Sequence, residues 1–116
     1  MPSPRRREKL NNLLQEELSK ILDREFEFPR NTMTTVTRVE ISPDGHYADI
    51  FFSLLGPEPE NAWRMLRGRT GEIQHFLNRR LRIRPVPKIR FVIDKDEFQR
   101  ERIEKSRAEL KKKGDI

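Results

Sequence analysis

The residues with the clearest chemical potential are cations gathered around two glycines. From Arg64 to Arg90 the chain carries nine basic residues (Arg64, Arg67, Arg69, Arg79, Arg80, Arg82, Arg84, Lys88 and Arg90) and one acid, Glu72. The whole chain has a net charge of +6, so the excess lies in this segment and the rest is slightly acidic. Within it stands Gly68-Arg69-Thr70-Gly71. Two glycines allow a sharp turn and close approach of the backbone to a phosphate. Arg69 adds a charge whose planar fork matches phosphate oxygens. Arg79, Arg80, Arg82 and Arg84 crowd the next helix end, where the helix dipole accounts for some of them. Arg5, Arg6, Arg7 and Lys9 form a second basic cluster near the N-terminus, at a helix start whose dipole disfavours cations. A polyanion is the partner such a surface fits; a solvated basic helix face is the alternative.

Catalytic chemistry finds little support. The two histidines, His46 and His75, lie far apart in sequence, and neither has acids at ligand spacing. No phosphate loop ends in Lys-Ser or Lys-Thr, and no nucleophile elbow or paired-carboxylate motif occurs. Glu58 and Glu60 flank a proline and read as first-turn acids. The expectation is a non-enzyme with no cofactor and no metal. With 116 residues the chain suits a single domain, and with no cysteine it has no disulfide framework, which fits a reducing cytoplasm. No apolar run follows the N-terminal arginines, so no signal peptide or membrane span is expected.

The elements that must position these residues are legible in order. Ser3-Pro4 reads as an N-cap and a first-turn proline. Leu10, Leu13, Leu14, Leu18, Ile21 and Leu22 then draw an apolar stripe on a helix from about Arg5 to Arg24. Thr34 to Ile41 predicts a strand with Thr35, Thr37, Val39 and Ile41 on one face and Arg38 and Glu40 on the other. Ser42-Pro43-Asp44-Gly45 predicts a tight turn, and His46 to Leu54 the return strand, with Ala48, Ile50, Phe52 and Leu54 inward. After Gly56-Pro57-Glu58-Pro59 a short helix carries Ala62, Met65 and Leu66. A second helix carries Ile73, Phe76, Leu77 and Leu81, and Pro85 and Pro87 close it. Ile89, Phe91 and Ile93 alternate as a last strand, and a charged helical extension follows Asp94. Trp63 reads as a core or boundary residue rather than a base-stacking platform.

The order α-β-β-α-α-β predicts an α+β two-layer sandwich with a three-stranded mixed sheet. A G-x-x-G between two helices, after a hairpin and before a strand, resembles the setting found in KH domains, here of the type II order, where the loop clamps a single-stranded backbone. Residues 1–94 are expected to form this RNA-binding domain and residues 95–116 a partly disordered tail. The expected RNA contacts are Arg5, Arg6, Arg7, Arg67, Gly68, Arg69, Thr70, Gly71, Arg79, Arg80, Arg82 and Arg84. A helix-turn-helix DNA-binding protein and a protein-interaction module built on the charged tail remain as alternatives.

Over about residues 5–104 the chain resembles the ribosome-binding factor A family. Val39-Glu40-Ile41-Ser42-Pro43-Asp44-Gly45 with Ala48-Asp49-Ile50 looks like that family's hairpin. Leu81-Arg82-Ile83-Arg84 to Pro87, then Ile89, Phe91 and Asp94, looks like its ending. Leu66, Gly71, Ile73 and Leu77 fit its central helices, and Pro29-Arg30 its first strand entry. The family usually has Ala-x-Gly at the helix bend, whereas this chain has Arg69-Thr70-Gly71 with Gly68 ahead. Phe28 stands where the family tends to have an acid. The resemblance implies a monomeric cytoplasmic protein that binds the free small (30S) ribosomal subunit and its 16S rRNA. It further implies a part in late maturation, 5′-end processing and cold adaptation, without catalysis.

Overall fold

A computed structural model describes residues 3–94. The extension expected after Asp94 lies outside them. Six elements follow the predicted order: α1 (Pro4–Glu25), β1 (Met33–Ile41), β2 (Tyr47–Leu55), α2 (Pro59–Gly68), α3 (Thr70–Arg80) and β3 (Lys88–Ile93). The Ser3 hydroxyl accepts from Arg6 N–H at 3.2 Å and starts α1, as the cap motif predicts. Leu14, Leu18, Ile21 and Leu22 are buried along it. Leu13 departs from the predicted stripe. It sits roughly 100° around the helix from Leu14 and is 39% exposed.

The sheet order is β1-β2-β3, with β1 antiparallel and β3 parallel to β2. The helices pack on one face of it, over Val36, Val39, Ile41, Ala48, Ile50, Phe52, Leu54 and Ile89. Phe52 meets Phe91 edge-on at 5.0 Å between ring centroids. The expected face of β1 needs one correction. The register shifts between Val36 and Arg38, so Thr37 is a bulge residue. Val36 therefore joins Val39 and Ile41 inside, while Thr35 is exposed. The Thr37 hydroxyl, carried to the other side, donates to Asp94 Oδ2 at 2.7 Å and ties β1 to the end of β3.

Side-chain amides from the helices cover the sheet edges. Gln15 Nε2 donates to the Val36 carbonyl at 3.0 Å, and Asn11 Oδ1 accepts from Ile41 N–H at 3.1 Å. On the far edge Gln74 Oε1 accepts from Ile89 N–H at 2.8 Å and its Nε2 donates to the Pro87 carbonyl at 3.2 Å. An edge strand otherwise offers unpaired backbone groups to other chains.

The β1–β2 turn follows its predicted chemistry. Gly45 has φ 77°, and its N–H donates to the Ser42 carbonyl at 2.9 Å. Asp44 Oδ1 accepts from the Ser42 hydroxyl and from His46 N–H. The Ser42 bond chiefly, then the His46 bond, holds the Asp44 carboxyl below its ordinary range.

Candidate nucleic-acid interface

Helix α2 has two faces. Ala62 and Leu66 are buried against the sheet layer. Trp63, Arg64, Arg67 and Gly68 occupy the opposite arc, at one- and four-residue steps. With Pro59 and Glu60 they wall a concavity of about 580 Å³, and Leu54 and Ile93, from the ends of β2 and β3, complete it. The indole of Trp63 is half-buried and packs against the core, which fixes its orientation. An apolar recess with two arginines beside it suits an unstacked base next to its phosphates.

The bend below this recess is tighter than a four-residue loop. Gly68 still belongs to α2, and Thr70 and Gly71 already belong to α3. Arg69 alone separates them, with φ −114° and ψ 16°. Arg69 N–H donates to the Leu66 carbonyl, and the Arg69 carbonyl accepts from Ile73 N–H at 3.0 Å. The Thr70 hydroxyl turns back to the Arg67 carbonyl at 2.9 Å. Neither Gly68 nor Gly71 has a positive φ, and a methyl group at either would meet nothing within 4 Å. Gly56 is the contrast. Its φ is 136°, and a Cβ there would lie 2.4 Å from the Asn31 carbonyl oxygen. The protein's own backbone thus requires glycine at 56, but not at 68 or 71.

The predicted cations do not all line one concavity. Arg67 and Gly68 share the recess on α2. Arg69 lies beside it, its guanidinium 4.9 Å from the Phe26 ring centroid and its Nε 3.4 Å from Glu72. Arg6 and Arg84 meet elsewhere, in a concavity between α1, the β1–β2 turn and the segment before β3. Arg84 is also structural there, since its guanidinium donates to the carbonyls of Asn78, Leu81 and Ile83. Arg80 is largely committed inside the molecule, with Nε 2.7 Å from Glu17 Oε2 of α1. Arg7 lines a third recess with Asn11 and Glu40. Arg5, Arg79 and Arg82 are exposed and line none of these three concavities. Trp63 packs against the core as a boundary residue, as its sequence reading expected, and it also lines the recess. Arg64, Leu54 and Ile93 line the recess too and were not among the expected contacts. The helical spacing of Trp63 and Arg67, opposite Ala62 and Leu66, was the available signal.

Residues 6–106 match the family model described as Ribosome-binding factor A. The chain belongs to the ribosome-binding factor A family. It is 34% identical over 92 residues to the ribosome-binding factor A of Polynucleobacter necessarius subsp. necessarius (strain STIR1), covering 79% of this chain and 75% of that one. It is 37% identical over 97 residues to that of Thermomicrobium roseum, covering 82% and 74%. The crystal structure of ribosome-binding factor A from Thermus thermophilus superposes with a TM-score of 0.65 at 28% identity, over 75% of this chain and 93% of that one. A Thermus thermophilus homology model fitted into the cryo-EM map of a 30S complex gives a TM-score of 0.64 at 28% identity, over 72% and 90%. The α-β-β-α-α-β order read from the sequence is therefore this family's fold.

Proposed function

We propose that this protein binds the free small ribosomal subunit through its 16S rRNA and assists late maturation and 5′-end processing without catalysing a reaction. Family membership supports the subunit as partner, as does the relative fitted into a 30S complex. The observation that carries the rRNA contact is the α2 recess. Trp63, Leu54 and Ile93 offer an apolar seat, Arg64 and Arg67 offer charge, and Gly68 opens on the same side with no internal need to be glycine. Residues 1–94 act as the RNA-binding unit. Binding one rRNA fold more tightly than its competitors raises that fold's population, which is the whole of the energetic contribution. The protein acts as a monomer in the cytoplasm, and its effect matters most in the cold, when misfolded RNA helices melt slowly.

Sedimentation of cell extract through a sucrose gradient tests this. The protein is expected to travel with free small subunits and to leave whole ribosomes. A protein that stays at the top of the gradient, or tracks with translating ribosomes, would sink the proposal. Duplex DNA that outcompetes structured RNA would favour a helix-turn-helix reading of α2 and α3 instead.

A further inference from the structure

The geometry points to a second RNA seat, built for one unpaired nucleotide, in the concavity between the start of α1, the β1–β2 turn and the segment before β3. It rests on the RNA-binding reading above but shares no lining residue with the α2 recess. Leu10, Leu13, Ile83 and Pro85 supply an apolar floor. Leu13 is 39% exposed although it sits in a leucine-rich helix, so the core does not account for it. Arg6, Lys9 and Arg84 stand around that floor, with Asp44 as the one acid among the lining residues. The Asp44 carboxylate is turned into its own turn, where Oδ1 accepts from Ser42 and His46. Arg84 is held in place by three backbone carbonyls and meets no carboxylate among the described residues, so its charge is fixed but not neutralised. The volume, about 660 Å³, lies in the range of about 300–1,000 Å³ usual for small-ligand seats.

Cations around an apolar floor fit an anionic backbone that carries a flat apolar group. An unstacked nucleotide has that chemistry. A paired duplex hides its base faces and would leave Leu13 without a contact. The charge at the start of α1, which opposes the helix dipole, also finds a reason here.

The test uses the full chain and purified free small subunits. A photo-crosslinking phenylalanine analogue replaces Leu13 in one protein and Trp63 in another. Position 13 is expected to crosslink to an unpaired rRNA nucleotide, different from the one that position 63 reaches. Leu13→Ser should weaken subunit binding about five-fold and leave its salt dependence unchanged. Lys9→Gln should instead reduce the log–log salt slope by about 0.7–0.9. A melting temperature close to wild type shows that each variant is folded. Crosslinks at 63 but none at 13, or crosslinks from 13 to a ribosomal protein, would overturn the second seat and leave the proposed function standing. Wild-type affinity in folded Leu13→Ser would overturn it equally. Failure of the unaltered protein to bind subunits at all would instead remove the RNA-binding reading itself.

Discussion

Three glycines carry different burdens. Gly56 sits where a side chain would strike the Asn31 carbonyl and where φ is positive. Gly56→Ala is expected to destabilise the protein by about 1–3 kcal/mol, read from denaturant unfolding. Gly68 and Gly71 face open space with ordinary helical backbone. Gly68→Ala and Gly71→Ala should leave stability unchanged or raise it by up to about 1 kcal/mol each. If the backbone there approaches a phosphate, both should still bind small subunits at least about ten-fold more weakly; unchanged binding would reduce the bend to a hinge. Arg69→Glu should likewise weaken binding without unfolding, because Arg69 is exposed and its internal partners are a ring face and a surface acid. Asp44 supplies a pH-dependent prediction. Its folded pKa is depressed, so the stability it contributes is fully present above the ordinary value of 3.8 and is lost as pH falls through the lowered one. The gap in melting temperature between wild type and Asp44→Ala should be constant at neutral pH and close in that acidic window.

At the scale of elements, the fold depends on helices that both fill the core and seal the sheet. Gln74 illustrates this, since its amide satisfies Ile89 N–H and the Pro87 carbonyl at once. Ile89 is only 3% exposed, so water is a poor substitute. Gln74→Ala is expected to cost about 1–3 kcal/mol, measured by urea unfolding, and to speed hydrogen exchange at Ile89. The same logic explains why α3 is not free to serve only as a recognition helix. Its Ile73 and Leu77 are core residues, and Arg80 ties it to Glu17 of α1. Helix α2 is different, because its outward arc is the wall of a recess.

For the molecule as a whole, the local positive charge sorts into separate stations. One is the α2 recess with Arg64 and Arg67, and another is the concavity of Arg6, Lys9 and Arg84. An electrostatic contact of this kind weakens with salt. Subunit affinity should fall between about 50 and 200 mM salt, and Arg67→Gln should reduce the log–log slope by about 0.7–0.9. A salt-independent affinity, measured by filter binding across that range, would contradict phosphate contacts at either station.

The order of elements, the hairpin turn, the cap of α1 and the family resemblance were all legible in the sequence. Each depends on residues close in the chain: Ser3 with Pro4, Asp44 with Gly45, leucines at helical spacing. The candidate site was only half legible. Charge density marked the region, but Arg80 and Arg84 proved to be held by Glu17 and by backbone carbonyls. Thr35 and Thr37 were grouped with Val39 and Ile41, but the Thr37 bulge, which answers to Phe51 and Asp94, residues remote in sequence, turns Val36 inward in their place. Trp63 acquired its floor from Leu54 and Ile93, and Leu13 its neighbours from Ile83 and Pro85, only when the sheet closed. Periodicity reports which way a residue faces along its own helix or strand. What it then faces is set by long-range packing, and that was decided by the tertiary structure.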